Sequence, residues 1–361
     1  MPLNGHTENT GAILPAQHIR KLVEQGHILV PGCGKELFRD PDLLKPRLQP
    51  ASLDLRLDTR IWRVRASFLP NPQKPVADLI ARLASHEMNL NAGAVLEPGS
   101  VYIAELQESL ALPAHLHARA SAKSSVGRLN LFTRLITEHG PAFDAVPPRY
   151  HGALYCEIAP CAFPVLARRG DCLNSLRIFN GDPTPVAETT LRVDLSGADT
   201  DGLIGYRAKK HTDIVDLSAT ATAPPARFWD PLPAEPSRQL VLDPDAFYIL
   251  VSRPGVRLGA DVAGELEPFA AEMGEFRVHY AGFFDPGFGI DAPGGARAVL
   301  EVRSHEVPFV LEDGQAVGRL VASPLAEETE MPYARAARDG AGYDRQALTL
   351  SRHFADFAAT L

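Results

Sequence analysis

Hydrophobic positions occur in short runs along most of the chain. The runs at 101–104, 248–252, 298–303 and 308–312 are rich in Val, Ile, Leu, Phe and Tyr, and turns of Gly, Pro, Asp and Asn separate such runs. Branched and aromatic residues fit a pleated strand, and turn residues between short runs are typical of connections between strands. The pattern therefore predicts a mainly β fold, either a sandwich or a barrel.

A helical pattern is rarer and is clearest at 15–26, "PAQHIRKLVEQG". Ile19, Leu22 and Val23 share one face of a helix there, and Gly26 stands at a suitable C-terminal stop. We expect this helix to pack on the first barrel.

Two blocks of the sequence recur. Residues 95–118 overlay 241–264 without a gap at an offset of 146, and residues 154–178 overlay 298–321 at an offset of 144. Loops change length more readily than strands do, so a small deletion between the blocks is expected after a duplication. The repeat predicts two tandem barrels that descend from one ancestral domain.

The segment at 219–239 is dense in Pro and Ala and has no periodicity, which predicts an extended linker. It would divide the chain into an N-terminal domain at 1–218 and a C-terminal domain at 240–361. A chain of 361 residues with 45% hydrophobic content can give each domain a core.

Charge and composition narrow the class of ligand. The formal net charge of −8 argues against a broad basic surface for nucleic acid and favours a small ligand held by a local basic cluster. The first residues lack the basic and apolar regions of a signal peptide, and no apolar run approaches the roughly 18 residues of a membrane span. The four cysteines fit no disulfide framework. We therefore expect a cytoplasmic protein without a membrane partner.

The first copy carries a cluster suited to phosphate in "RASAKSSVGRLNL" at 119–131. Lys123 and Arg128 supply positive charge, and Ser124 and Ser125 supply short donors that can fix phosphate oxygens. A solvated loop with one helical turn is the alternative for this segment taken alone. The second copy lacks all four of these residues at the equivalent positions.

The second copy carries a different half-site in "FFDPGFG" at 283–289. Asp285 can accept a hydrogen bond from a ligand hydroxyl, and Phe288 offers a face for stacking. The alternative is a plain β-turn. The first copy has "AFDAVPPRYHG" at 142–152 and no Asp-Pro-Gly. Since each copy keeps the half that the other lacks, the pattern predicts a composite site between the copies.

Glu301 lies inside an apolar run of the second copy, where alternation places it on one strand face with Val299 and Arg303. Partial burial there would disfavour the charged form and raise the pKa of Glu301 toward neutrality, where a carboxylate can shuttle protons. The alternative is an ordinary exposed strand glutamate. Glu157, the equivalent of Glu301 in the first copy, is either such a residue or a relic.

These motifs carry a resemblance. "AKSSVGRLNL", "AGFFDPGFG" and "AVLEV" in this order resemble the trimeric dUTPase and dCTP deaminase superfamily, whose barrels are jelly-roll-like. "LQPASLDLRL" at 48–57 and "GYDRQALTLSR" at 342–352 are similar to the N-terminal signature and the C-terminal tail of that family. The duplicated form resembles a long, two-copy class of bacterial dCTP deaminases.

The resemblance implies hydrolytic deamination of dCTP to dUTP and ammonia, a step toward dUMP and dTTP. Glu301 would be the general base, with Ser124 and Arg128 positioning the water and stabilising developing charge. The implied substrate-binding residues are Lys123, Ser125, Ala281, Asp285, Phe288, Tyr343 and Gln346. Asp285 would hold the deoxyribose 3′-hydroxyl, and Phe288 would crowd a 2′-hydroxyl. Mg²⁺ would enter with the triphosphate, the protein would be a homo-oligomer, and dTTP is a candidate inhibitor.

The chain departs from the family pattern at two positions. Lys123 stands where arginine is usual, which weakens bidentate phosphate recognition. Gly342 stands where a tail lysine is common, and Lys209 and Lys210 could supply the missing charge or form a solvated pair.

Zinc chemistry is the rival route to deamination. It needs H-x-E and a later P-C-x-x-C, whereas the sequence has H-x-E only at 6–8, and no second cysteine follows Pro160-Cys161 at the required spacing. We therefore expect no zinc. Two other functions stay open: a dUTP diphosphatase or bifunctional deaminase–diphosphatase, and a non-catalytic nucleotide-binding regulatory protein.

Overall fold

The structure is a computed structural model that describes residues 11–33, 44, 47–267, 276–278, 282–304, 306–333, 343 and 346–357. The helices of these residues are α1 Ala16–Glu24, α2 Val76–Leu83 and α3 Ser124–Gly127, with a 3₁₀ turn at Pro225–Arg227. Strands account for most of the regular structure, which confirms the mainly β fold.

The strands of the first half are β1 Ala12–Ile13, β2 Ile28–Leu29, β3 Leu48–Gln49, β4 Ser52–Val64, β5 Ala84–Asn89, β6 Ala94–Leu96, β7 Val101–Ala111, β8 Leu116–Ala122, β9 Leu131–Thr137, β10 Ala145–Val146, β11 His151–Pro160, β12 Val165–Ala167 and β13 Cys172–Asn180. The strands of the second half are β14 Ala187–Val193, β15 Leu203–Ala208, β16 Val215–Asp216, β17 Trp229–Pro233, β18 Gln239–Leu242, β19 Phe247–Arg253, β20 Val262–Glu267, β21 Phe276–Val278, β22 Phe283–Phe284, β23 Val299–Ser304, β24 Phe309–Glu312 and β25 Ala316–Pro324.

Two large sheets form the two barrels. The first has the order β10-β8-β13-β4-β7-β11-β9, with β1, β2, β3 and β5 paired to its members, and a small sheet β16-β12-β6 accompanies it. The second has the order β17-β15-β19-β14-β25-β20-β22, with β23 between β19 and β21. A two-stranded antiparallel sheet, β18-β24, accompanies it. Most pairings are antiparallel, as the turn-rich sequence predicts.

The change from the first barrel to the second comes earlier than predicted. Strands β14 and β15, which the predicted boundary assigns to the N-terminal domain, pair with β25 and β19 of the second sheet. The sheets therefore change between residues 180 and 187, whereas we predicted 219–239. Strand β16 at Val215–Asp216 then returns to the first barrel by pairing with β12.

The predicted linker is built into the fold. Within it, β17 pairs with β15, and Phe228 and Trp229 are buried at 1% and 0% exposure. Its Pro-rich composition predicts an extended linker, but its two aromatic side chains bury apolar surface and so hold the segment in the fold. They lie edge to face with Phe163 of the first barrel.

Corresponding strands of the two halves share local geometry. Glu157 of β11 lies opposite Ile103 of β7, and Glu301 of β23 lies opposite Ile249 of β19. Tyr102 and Tyr248 directly precede these two isoleucines, and their hydroxyls accept hydrogen bonds from the Glu97 and Asp243 amides. A duplication would produce this recurrence, and the duplication itself stays a prediction.

The hydrophobic core brings the barrels together. Phe247 and Ile249 of β19 belong to the same buried cluster as Leu129 and Leu131 of the first barrel, and Val299 of β23 packs against that cluster. The faces of β19 and β23 that carry these residues therefore border the first barrel. Helix α1 packs Ile19, Leu22 and Val23 into this cluster as predicted, and Gly26 follows it with a φ of +76°.

The four cysteines all lie in the described residues, and none of them forms a disulfide. No helix of the described residues has the length and apolar character to cross a membrane.

Candidate active site

The predicted phosphate cluster lies on α3, the single helical turn between β8 and β9. The Val126 and Gly127 amides donate to the Lys123 carbonyl at 2.8 and 2.9 Å, and the Lys123 amide donates to Leu173 of β13 at 2.9 Å. Ser125 and Arg128 are only 5% and 3% exposed. The segment is thus a buried turn fixed to the first barrel, and the alternative of a solvated loop does not describe it.

The carboxylate of Glu301 lies against this turn in the same chain. A Cβ placed on Gly127 would stand 2.4 Å from both carboxylate oxygens of Glu301. Only a residue without a side chain permits so close an approach. Strand β23 of the second barrel and α3 of the first barrel therefore meet at one point, where the predicted halves of the composite site come together.

The surroundings of Glu301 make it a weak acid. Burial raises the pKa of Glu301 to about 8, and the nearby guanidinium groups of Arg128 and Arg303 partly oppose that rise. Arg303 is held in turn by a hydrogen bond from its Nη2 to the side-chain oxygen of Asn130 in the first barrel. A carboxyl group with a pKa near neutrality can both take and return a proton at physiological pH.

Arg128 is held by the C-terminal tail. Its Nη2 donates to Gln346 Oε1 at 2.6 Å, and its Nη1 donates to the Thr349 carbonyl at 2.9 Å. Its guanidinium lies 3.8 Å from the ring centroid of Tyr343. Two predicted tail residues, Tyr343 and Gln346, therefore contact a predicted catalytic residue, which brings three of the predicted site residues together beside Glu301.

The tail is anchored on the first barrel. Ser351 Oγ donates to the Ser125 carbonyl at 2.6 Å, and His353 Nδ1 lies 2.8 Å from Ser351 Oγ. Burial lowers the pKa of His353 to about 4. The ring of Phe354 packs edge to face with Phe163, Phe228 and Trp229 at centroid distances of 6.1, 5.2 and 5.8 Å.

Lys123 is engaged by a carboxylate that we did not predict. Its Nζ pairs with Asp54 Oδ2. Asp54 also accepts hydrogen bonds from Gln49 Nε2 at 3.0 Å and Ser175 Oγ at 2.6 Å. The only sequence signal for Asp54 was its place in the "SLDLRL" segment that resembles a family signature. The pair lowers the net positive charge that Lys123 offers to a phosphate.

A polar cavity of about 310 Å³ opens beside the turn. Its lining includes Lys123, Ser125, Asp171, Arg352 and His353. Within the described residues Arg352 makes no ion pair, and its backbone amide is fixed by a 3.0 Å bond to the Tyr343 hydroxyl. Arg352 was not predicted, although it closes the tail segment "LTLSR".

The Asp-Pro-Gly turn lies at the same junction. The Asp285 side chain is 12% exposed, and its Oδ1 is 3.8 Å from Arg177 Nη2 of β13. Burial raises the pKa of Asp285 to about 6, against the charge of Arg177. Gly287 has a φ of +84°, which fits the tight turn that we predicted.

Phe288 differs from the prediction of an open stacking face. It is 5% exposed and lies in the core of the second barrel, with its ring 5.1 Å from Phe284 and 5.8 Å from Tyr333. Ile290, two residues after Phe288, is 47% exposed. An aromatic residue after Asp-Pro-Gly can serve the core as well as a ligand, and the sequence pattern does not separate these roles.

The structure says less about the two remaining predicted site residues, Ser124 and Ala281. Ser124 is partly exposed, and its Oγ is 4.0 Å from where a Cβ of Gly282 would stand, so it faces the segment that precedes the Asp-Pro-Gly turn. Ala281 lies outside the described residues.

Glu157 has a partner of its own. It is 1% exposed, and its Oε1 accepts a 2.9 Å hydrogen bond from Arg134 Nε and a second bond from Arg134 Nη2. The Arg134 guanidinium lies 3.7 Å from the ring centroid of Phe143 and 4.8 Å from that of Phe132. An arginine therefore fills the space beside Glu157, which favours the interpretation of Glu157 as a relic.

Comparison with known proteins identifies the family. The family models for the N-terminal and C-terminal domains of 2′-deoxycytidine 5′-triphosphate deaminase match residues 10–182 and 175–354. The chain belongs to the 2′-deoxycytidine 5′-triphosphate deaminase family. The two models meet at 175–182, close to the change of sheet and ahead of the predicted linker.

Individual relatives agree. The crystal structure of 2′-deoxycytidine 5′-triphosphate deaminase from Agrobacterium tumefaciens is 46% identical in sequence to this chain and has a TM-score of 0.81. The match covers 88% of this chain and 100% of the Agrobacterium chain. A protein of Corynebacterium glutamicum named "dCTP deaminase, dUMP-forming" is 32% identical over 170 residues, which are 46% of this chain and 80% of the relative. A protein of the same name from Methanothermobacter thermautotrophicus is 29% identical over 150 residues, 41% of this chain and 68% of the relative.

Proposed function

We propose that the protein hydrolyses the exocyclic C–N bond of the cytosine in dCTP, giving dUTP and ammonia. Membership of the deaminase family supports dCTP as the substrate. The observation that carries the chemistry is the Glu301 carboxylate, which lies against Gly127 and beside Arg128 with its pKa raised to about 8.

Glu301 is the general base of this proposal. It takes a proton from water, the resulting hydroxide adds to C4 of cytosine, and the proton is delivered to the amino group, which leaves as ammonia. One water is consumed and one ammonia is released. The raised pKa of Glu301 makes its protonated form a competent acid for the second transfer, so one residue can serve both steps.

Arg128 acts beside the base. Its guanidinium lowers the pKa of Glu301 against the effect of burial and can stabilise negative charge that develops at the ring. The hydrogen bonds to Gln346 and Thr349 fix its orientation, so the tail positions the catalytic arginine as well as covering the nucleotide. Ser124 would position the attacking water.

The cavity beside α3 would receive the phosphates. Ser125, Lys123 and Arg352 would contact them, with Arg352 offering a charge that no carboxylate of the described residues pairs. Mg²⁺ would enter with the triphosphate. Among the described residues no three His, Cys, Asp or Glu side chains converge on one point, so phosphate oxygens and water would provide its ligands.

The test is a product analysis. The purified protein is incubated with dCTP and Mg²⁺, and ammonia and nucleotides are measured by enzymatic assay and ion chromatography. We expect one dUTP and one ammonia for each dCTP. Formation of dUMP and pyrophosphate with ammonia would add the diphosphatase activity that the names of the Corynebacterium and Methanothermobacter relatives specify. Binding of dCTP without turnover would contradict the proposal and favour a regulatory protein.

A further inference from the structure

Arg177 is a fully buried arginine that joins the two barrels. It lies on β13 of the first barrel and is 1% exposed. Its Nη1 donates to the Gly264 carbonyl at 3.1 Å and its Nη2 to the Phe284 carbonyl at 3.4 Å, both in the second barrel. Its guanidinium also lies 3.9 Å from the ring centroid of Phe283. The Arg177 guanidinium of the first barrel thus lies beside the strand that leads into the Asp-Pro-Gly turn of the second barrel.

The repeat shows that this charge is particular to the first copy. At the offset of 144, Arg177 overlays Val321, which is buried at 7% exposure in the second barrel. Burying a guanidinium costs free energy, and an apolar side chain of similar size is often as stable or more stable at such a position. Stability alone is therefore a weak reason for an arginine at this position. A role toward a neighbouring group is the stronger reason.

The partner is Asp285. Its Oδ1 is 3.8 Å from Arg177 Nη2, too far for a hydrogen bond but close enough for strong electrostatic attraction across a buried space. Within the described residues this buried Oδ1 makes no hydrogen bond. A buried carboxylate oxygen that is attracted by a charge, yet keeps its capacity to accept, is suited to a hydroxyl that arrives with a ligand.

We propose that Arg177 is a positioning residue that keeps Asp285 ionised and oriented toward the sugar 3′-hydroxyl of the nucleotide. Arg177 would then set the preference for a 3′-hydroxyl from the opposite barrel, without touching substrate. The inference rests on the proposed function and assigns a second residue to the same site.

The charges around Asp285 predict how its ionisation depends on pH. Burial and Asp54 raise the pKa of Asp285, whereas Arg177, Lys123 and the Ala51 backbone amide lower it, and the result is a pKa of about 6. Glu265 is the other acidic group that acts on Arg177. Because the folded-state pKa of Asp285 is above the usual value of an aspartate, the accepting carboxylate is lost as pH falls through about 6. Removal of Arg177 would move this loss to higher pH.

The experiment compares dCTP with 2′,3′-dideoxy-CTP, which lacks the hydroxyl. The measured quantity is the ratio of kcat/KM for the two substrates in wild type, Asp285→Asn, Arg177→Met and the double variant. We expect wild type to prefer dCTP by about 10- to 100-fold, the range for a hydrogen bond to a buried charged group. Both single variants should lose most of this preference, and the double variant should lose little more.

Two controls separate positioning from damage to the fold. Turnover of the dideoxy substrate by Arg177→Met reports whether that variant is folded. Arg134→Met removes a half-buried arginine from the carboxylate pair of the first barrel and should leave the ratio unchanged. If Arg177→Met does not fold, Arg177→Lys keeps the charge without the two-pronged hydrogen bonding, and we expect an intermediate ratio that improves with rising pH.

The outcomes are distinct. If Arg177→Met or Arg177→Lys keeps the wild-type ratio while Asp285→Asn loses it, Arg177 is only a structural contact and the inference is overturned. If Asp285→Asn also keeps the ratio, the proposed role of Asp285 is wrong and the inference falls with it. If wild type deaminates neither substrate, it is the proposed function that has failed.

Discussion

Gly127→Ala is the variant that most precisely perturbs the contact between the barrels. The added Cβ would stand 2.4 Å from Oε1 and Oε2 of Glu301 and 2.7 Å from the carboxyl carbon. Ordinary contact with a Cβ begins near 3.4 Å. The carboxylate must therefore move by about 1 Å, and a displacement of this size in a catalytic group can lower a rate by about 100-fold.

The effect on stability is expected to be small. Gly127 ends a helical turn and does not have a positive φ, so alanine can adopt its backbone conformation. In a helix, alanine is favoured over glycine by about 0.5 to 1 kcal/mol, which offsets part of the cost of moving a buried carboxylate. The free energy of unfolding should change by less than about 2 kcal/mol.

The assay measures kcat, KM for dCTP and the denaturation midpoint of Gly127→Ala. We expect kcat to fall by about 100-fold with dCTP binding largely retained. Glu301→Asp withdraws the carboxylate by one methylene and should also slow turnover, but the two changes displace the same group, so their costs should be less than additive. Wild-type kcat in a folded Gly127→Ala protein would refute the placement of Glu301 against α3.

Three further predictions follow from the same geometry. Because the base must be ionised, kcat/KM should rise with pH through about 8, and a flat profile measured from pH 6 to 9 would count against Glu301 as the base. Glu301→Gln should abolish turnover. Its stability relative to wild type should increase from about pH 4.5 to about pH 8 and then stay constant, because the carboxyl ionises at its ordinary pKa of 4.5 in the unfolded chain and only near 8 in the folded one. Glu157→Gln should keep turnover within about twofold of wild type and lower the free energy of unfolding by about 1 to 3 kcal/mol through the loss of the Arg134 pair, as measured by urea titration, and an inactive folded variant would show that the wrong copy was chosen. Phenanthroline should leave turnover intact, whereas removal of Mg²⁺ should raise KM for dCTP, and tightly bound stoichiometric zinc in the active protein would contradict this.

The sequence predicted the class of fold and the composite character of the site. Period-2 alternation and turn residues are local signals, and the repeat multiplies them, so the β architecture follows from short stretches. The pairing of half-sites came from the comparison of two copies, each of which lacks what the other keeps. Arg128 was predicted in this way, whereas Glu301, whose counterpart Glu157 stands in the first copy, was assigned through the family resemblance. The structure places Glu301 and Arg128 at one junction.

The remaining features depend on contacts between distant segments. The boundary was misplaced because a Pro-rich composition does not reveal that β14 and β15 join the second sheet or that Trp229 is buried. Arg177 lies in no motif, and the signature segment that contains Asp54 does not single that residue out. Only the fold brings Asp54 to Lys123 and Arg177 to Asp285. The position of Arg177 among the apolar residues Leu176, Ile178 and Phe179 was the one signal that could have singled it out.

The central claim is that one chain supplies both halves of the active site, Arg128 from the first barrel and Glu301 from the second. Its most direct test is a mixture of the Arg128→Ala and Glu301→Gln proteins, unfolded and refolded together so that any oligomer contains both chains, with wild type mixed with the double variant as the control for recovery of folded protein. Because the Glu301 carboxylate lies against Gly127 of its own chain, we predict that the mixture stays as inactive as either variant alone. Recovery of dCTP deamination in the mixture would show that the site is completed between chains and would contradict the account.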